Sequence, residues 1–164
     1  MTPLKLPTIA LMLSVVLWGA LLGGIAYSHL VFIPVFMSGL PDSAIVVNGP
    51  YAIHEEAFWM KIHPLLVLSV IVTLALNWKM KARRKLIGLS LAVYVPVLIV
   101  TGLYFIPELM DFANSANIPL SREEWSVRTD RWIMLSLIRG ALMFVAIVPI
   151  LLALVKPVNG VEGR

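Results

Sequence analysis

The chain alternates between long apolar runs and shorter polar segments. Four runs, at 8–35, 58–76, 86–106 and 132–155, consist almost entirely of apolar residues. A helix rises about 1.5 Å per residue, so each run is long enough to cross the roughly 30 Å of hydrocarbon in a bilayer. The pattern therefore predicts an all-α fold: an integral membrane four-helix bundle that forms a single domain over residues 1–164.

The composition agrees with a polytopic membrane protein. The chain is 60% hydrophobic and 13% charged, with a mean hydropathy of +0.92, whereas soluble domains carry about 25% charged residues. It contains no cysteine, which excludes disulfides, thiolate nucleophiles and iron–sulfur clusters. The formal net charge is +4, but most basic residues lie at the ends of apolar runs. We therefore expect membrane lipids as partners, and no nucleic acid.

The positions of the basic residues predict how the helices are oriented. The loop at 79–85 reads KMKARRK, and four spans place Lys5, Lys156 and Arg164 on the same side of the membrane. All acidic residues except Glu162 fall on the other side. Cytoplasmic loops carry an excess of Lys and Arg. We therefore expect both termini to be cytoplasmic and the protein to reside in the bacterial inner membrane.

The first apolar run contains closely spaced glycines. Gly19, Gly23 and Gly24 provide small residues on adjacent tracks of the helix, and small residues let a second membrane helix approach closely. The partner is either another helix of the same bundle or, through the Gly19/Gly23 face, a second copy of the chain.

The connection before the last run carries a helix signal of its own. Ser121 is suited to cap a helix, and Glu124 stands three residues later, as in a capping box. We expect a short surface helix beginning near Leu120 and separate from the last span. No internal repeat is evident.

Polar side chains at membrane depth concentrate near the acidic side. His29 lies late in the first run, His63 early in the second, Thr101 and Tyr104 late in the third, and Arg139 early in the fourth. All four helices therefore offer a polar group to one layer. This layer, which we place in the outer leaflet, is the best candidate for chemistry.

Arg139 is the most demanding of these residues. An arginine at the centre of a membrane helix costs about 2.5–3.5 kcal/mol on insertion scales, so it should face the bundle. Three roles stay open: an ion pair with Glu56, Glu108 or Asp111, an anchor for a substrate anion, and a side chain that snorkels to the interface.

The stretch 54–64 holds two of the three histidines. Glu56 and His63 are seven residues apart, on one face of a helix. A histidine with a carboxylate orienter is typical of proton transfer. With His29 and Glu108 the same residues would make a nitrogen–oxygen metal site, and His29 with His63 would suit a haem. Ordinary hydrogen-bonded histidines are equally consistent with the pattern, so the sequence assigns no cofactor.

Aromatic residues mark the edges of the predicted spans. Trp59, Trp125 and Trp132 lie near boundaries, as in the aromatic belts of membrane proteins. Trp59 and Trp132, together with Tyr104, are also close to the polar layer. We take these three as the candidates for contact with a substrate.

Three segments resemble a known group of proteins. They are Asn-Trp-Lys at 77–79, Tyr-Phe-Ile-Pro-Glu at 104–108, and Arg-Trp-Ile-Met-Leu-Ser-Leu-Ile-Arg at 131–139. These segments resemble the small four-span membrane proteins grouped with fungal anthrone oxygenases. The resemblance implies a four-helix membrane fold and oxygenation of a hydrophobic aromatic compound, with Trp132 and Arg139 as the matching site residues.

Two functional hypotheses follow. In the first, the protein is an oxygenase-like enzyme for a lipophilic aromatic or quinol-type molecule, with His63 or His29 as base, Glu56 as orienter and Arg139 as anion stabiliser. In the second, it is a non-catalytic membrane subunit, assembly factor or lipid-binding module. A transporter is disfavoured because no repeat pair and no polar line through the bilayer is evident.

Overall fold

The computed structural model describes residues 5–157, which are mostly helical and contain no strand. The helices are α1 (Leu6–Phe36), α2 (Ile45–Asn48), α3 (Glu56–Leu76), α4 (Lys81–Ala113) and α5 (Arg122–Leu154). All of them except the single-turn α2 are long and apolar enough to cross a membrane. The predicted all-α class with four such helices is therefore confirmed. Glu162 and Arg164 lie outside the described residues.

α5 is longer than the apolar run that predicted it. It begins at Arg122, and the capping box of Ser121 and Glu124 is present at its start. The prediction of a separate surface helix is therefore wrong. No glycine or proline stands between Arg122 and Arg139, so nothing breaks the backbone hydrogen bonding where the polar turn meets the apolar run.

The two ends of the bundle differ in construction. We call the end with the connections 37–55 and 114–121 the loop end, and the opposite end the terminal end. A cluster of buried side chains at the loop end packs the connections onto the helices; it includes Phe32, Phe36, Met37, Leu40, Ala44, Phe112, Trp125 and Trp132. A second cluster, around Trp18 and Tyr94, fills the rest of the bundle.

α1 and α4 each contain one π-helical turn within the same sequence pattern. The turn Ser28–Phe32 reads SHLVF and is followed by Ile-Pro, and the turn Thr101–Phe105 reads TGLYF and is also followed by Ile-Pro. In both, the isoleucine N–H bonds to the carbonyl of the hydroxyl residue that opens the turn. The wider turn lets the helix continue through a proline that has no N–H to donate.

One further position follows the same spacing. Trp59 in α3 follows Ser28 at the same distance in sequence as Trp132 in α5 follows Thr101. The likeness is limited to these few positions, and the absence of an internal repeat stays a prediction.

Hydroxyl and indole groups join α1 to its neighbours. The Ser14 hydroxyl lies 2.8 Å from the Ser69 hydroxyl and 2.9 Å from the Thr73 hydroxyl, both on α3. The Trp18 indole N–H donates to the Met143 carbonyl of α5 at 3.1 Å. Such polar contacts and small residues hold membrane helices together, where lipid removes the hydrophobic drive for association.

The glycines of α1 have different surroundings. A Cβ atom added at Gly24 would collide with Phe58 of α3, whereas one added at Gly19 or Gly23 would meet no atom within 4 Å. Packing within the bundle therefore accounts for Gly24, and the Gly19/Gly23 face is open.

Arg83 fastens the terminal end. Its side chain is 2% exposed, and its Nε and Nη2 donate to the Lys156 carbonyl at 2.9 and 2.7 Å. Its Nη1 donates to the Thr8 hydroxyl at 3.1 Å and to Asn77 Oδ1 at 3.3 Å. Both described ends of the chain and the α3–α4 turn therefore lie together. The sequence placed Arg83 in an exposed loop, because α4 begins five residues before its apolar run.

Replacing Arg83 by methionine should lower the stability of the bundle. The variant loses hydrogen bonds that join the starts of α1 and α4 to the ends of α3 and α5, and one bond to a charged group contributes about 1.5–3 kcal/mol. The Lys85→Met variant removes an exposed charge from the same helix and is the matched control. Equal melting temperatures of the two variants in mild detergent would contradict this role of Arg83.

Candidate functional site

Arg139 lies on α5 against α4, and its charge is held by hydroxyl groups and aromatic rings. Its Nη2 donates to the Ser136 hydroxyl at 2.9 Å, and its Nη1 reaches the Thr101 hydroxyl at 3.5 Å. The guanidinium carbon is 4.2 Å from the centre of the Phe105 ring and 5.9 Å from that of Trp132. Ring faces attract cations at such distances, so these contacts stabilise the charge without neutralising it.

No carboxylate forms an ion pair with Arg139 among residues 5–157. Glu108 and Asp111 instead bind Arg128, at 2.8 Å and 2.6 Å. The ion-pair interpretation of Arg139 is thus not what the structure shows, and the side chains around Arg139 leave its positive charge uncompensated.

Ser136 links Arg139 to His29. The Ser136 hydroxyl is 3.1 Å from Nε2 of His29. Ser136 accepts a hydrogen bond from Arg139, and its contact with Nε2 runs in either direction according to the tautomer of His29. We call Arg139, Ser136, His29 and Thr101 the Arg139 cluster.

His63 has a partner that the sequence did not suggest. Its Nδ1 is 2.9 Å from the hydroxyl of Tyr94, which is fully buried. The imidazole ring stacks between Trp59 and Tyr94, with ring centres 5.9 and 6.2 Å away. We call Trp59, His63 and Tyr94 the His63 stack.

Glu56 is not the orienter of His63 in the structure. Its carboxylate is 62% exposed and lies 2.8 Å from Nδ1 of His54. At the first turn of α3, a carboxylate reaches water more easily than it reaches a histidine two turns deeper in the bundle. Glu56 and His63 therefore have different partners, His54 and Tyr94.

The two π turns supply residues to the site. His29 belongs to the turn in α1 and Thr101 to the turn in α4, and π turns occur frequently at functional sites. The hydroxyl of Tyr104, in the same turn as Thr101, is buried without a hydrogen-bond partner among residues 5–157. Trp132 is buried, and its indole N–H donates to the Phe105 carbonyl at 3.3 Å.

The predicted metal ligands are dispersed. Within the described part of the chain, no three histidines or acidic residues lie together in a way that could hold a metal ion. Glu56 bonds to His54, Glu108 to Arg128, His29 to Ser136 and His63 to Tyr94. The donor set therefore does not fit the nitrogen–oxygen metal centre that the sequence left open.

Arg139 and Arg128 should respond oppositely to replacement by leucine. Arg139→Leu removes an unpaired intramembrane charge and leaves the Ser136–His29 contact in place, so its melting temperature should be unchanged or higher. Arg128→Leu leaves Glu108 and Asp111 close together without their cation, which destabilises the fold. Thermal melts of the two variants in one detergent test this, and a lower melting temperature for Arg139→Leu would contradict it.

Comparison of the chain with protein-family models, with curated proteins and with solved structures finds no match.

Proposed function

We propose that the protein is an integral membrane protein whose Arg139 cluster binds a lipophilic molecule with an acidic oxygen, such as a phenol, enol or quinol. The observation that carries the proposal is the absence of a carboxylate partner for Arg139 among the described residues. Arginines within membrane segments usually pair with an anion. An oxyanion of the ligand would supply the charge that this chain does not.

The surroundings of Arg139 favour an aromatic ligand. Phe105 and Trp132 lie against the guanidinium, and the two rings meet edge to face with their centres 5.6 Å apart. The unpartnered hydroxyl of Tyr104 belongs to the same π turn of α4 as Thr101. An aromatic molecule with an oxygen substituent has both the ring surface and the polar atom that these groups can contact.

Two bases are available for the proton of the ligand. His29 acts at the cluster itself, with Ser136 holding its ring, and His63 acts from the stack, with Tyr94 holding its ring. A histidine held by one hydroxyl can take a proton on its other nitrogen. Arg139 then stabilises the oxyanion that is formed, as donors aimed at developing negative charge do in acyl-transfer enzymes.

The resemblance to anthrone-oxygenase-like proteins supports oxygenation as the following step. In an anthrone-type substrate, loss of a proton from the CH₂ carbon gives an enolate-type anion. Its charge lies largely on the oxygen of the carbonyl group across the ring. That anion reduces molecular oxygen. One oxygen atom becomes the new carbonyl oxygen, and the other leaves as water with the two hydrogens of the CH₂ group.

Binding and turnover of an anthrone or a quinol by the purified chain in nanodiscs test this proposal. Arg139→Leu should reduce turnover about tenfold or more, since loss of one oxyanion donor costs at least that much in known enzymes. Arg139→Lys keeps the charge without the planar guanidinium, so its turnover should lie between that of the wild type and that of Arg139→Leu. Arg131→Leu, an exposed arginine on the same helix, is the control. Unchanged rates in Arg139→Leu would contradict the anchor role. Binding without turnover in the wild type would exclude the enzyme and support a non-catalytic binding module.

The orientation of the bundle is part of the same proposal. The basic segment 79–85 supports a cytoplasmic terminal end, with the Arg139 cluster nearer the outer surface. The chain has no cysteine, so single cysteines report without background. Ala116→Cys, exposed at the loop end, should react with an impermeant thiol reagent in intact cells, and Ala82→Cys, exposed at the terminal end, should not. The reverse labelling pattern would invert the orientation.

A further inference from the structure

A groove of about 390 Å³ lies between α1 and α3, away from the α4–α5 surface that holds Arg139. It is lined by Ala20, Gly23, Gly24, Tyr27, Ser28, Glu55, Phe58 and Trp59. Only Ser28 and Glu55 offer non-aromatic polar side chains, and both lie toward the loop end. The groove is therefore apolar along its length and polar at one end.

Small residues form the floor of the groove. Ala20 and Gly23 are exposed, and a Cβ atom at Gly23 would meet no other atom within 4 Å. The walls are the larger side chains, Tyr27 on α1 and Phe58 on α3. A trough of this kind, open on its outer side, has the shape to accept an alkyl chain running parallel to the helices.

The polar end of the groove carries an uncompensated negative charge. The Ser28 hydroxyl lies 2.9 Å from Oε1 and 2.8 Å from Oε2 of Glu55, and the Trp59 indole N–H donates to Oε2 at 3.3 Å. Both donors are neutral, and no cation forms an ion pair with Glu55 among residues 5–157. A carboxylate has about four acceptor sites, so this one has room for a further donor that carries positive charge.

Aromatic rings surround that end. Phe58 and Trp59 meet edge to face, with ring centres 4.9 Å apart, and the half-exposed Tyr27 faces them across the groove. Ring faces attract ammonium groups, and tyrosine and tryptophan are enriched at the level of lipid headgroups. Glu55 stands immediately before α3. Lipid headgroups lie at the ends of membrane-spanning helices, so this position suits contact with a headgroup.

We propose that this groove binds a phospholipid with an ethanolamine headgroup, its ammonium on Glu55 and one acyl chain along Gly23. A primary ammonium has N–H donors for the free acceptor sites of the carboxylate, whereas a choline headgroup has none and a glycerol headgroup adds no positive charge. The two residues that define the lipid site, Glu55 and Gly23, do not belong to the Arg139 cluster. The lipid site goes beyond the proposed function, and either proposal can fail without the other.

Lipid retention by the full chain tests the site. The protein is reconstituted in nanodiscs of equimolar phosphatidylethanolamine, phosphatidylcholine and phosphatidylglycerol, released, and analysed by native mass spectrometry. The wild type should retain phosphatidylethanolamine preferentially. Glu55→Gln keeps the shape of the side chain and removes its charge, and should reduce this preference about tenfold, as loss of a charge-assisted hydrogen bond does. Glu56→Gln, an adjacent carboxylate that faces water and His54, should retain the preference.

A second variant separates the lipid from a second copy of the chain. A Cβ atom at Gly23 meets no other atom within 4 Å, so Gly23→Leu should keep the fold while its side chain fills the trough and displaces the lipid. Equal retention of the three lipids by the wild type, or an unchanged preference in Glu55→Gln, overturns the proposal. So does a wild-type dimer that becomes monomeric in Gly23→Leu, because a second copy would then occupy the groove.

Discussion

The arrangement of the four long helices depends on how their few buried charges are hydrogen-bonded. Arg83 is the most completely hydrogen-bonded of them. Its guanidinium bonds to a backbone carbonyl at the end of α5 and to side-chain oxygens from the start of α1 and the end of α3. The last carbonyls of a helix have no partner within it and attract cations. One buried side chain thereby joins three other segments through one backbone carbonyl and two side-chain oxygens, and its loss would remove this donor from all three.

The hydrogen-bonding needs of Arg139, in contrast to those of Arg83, are met only in part. Arg83 donates to three oxygens within 3.3 Å, one of them through two nitrogens. Arg139 has one hydroxyl at 2.9 Å, a second at 3.5 Å, and the faces of aromatic rings. A charge whose hydrogen-bonding needs the protein meets stabilises the fold, whereas a charge with spare donors is available to an anion, as we propose for Arg139.

The two π turns carry different chemistry on the same kind of backbone. When the two turns are aligned in sequence, His29 corresponds to Gly102. Glu55 and Glu56 are neighbours that also differ, since one carboxylate closes the groove between α1 and α3 and the other faces water. Similar backbone positions therefore acquire different roles from the elements that pack against them.

The sequence by itself determined the four apolar helices and the capping box of Ser121 and Glu124. These features are local, because span length, capping and rise per residue follow from consecutive residues. Only the tertiary structure decided the partners. Glu108 binds Arg128 rather than Arg139, and His63 binds Tyr94 rather than Glu56. Partner choice depends on the rotation and offset of each helix against its neighbours, and the π turns change both without altering the hydrophobic pattern from which the spans were read.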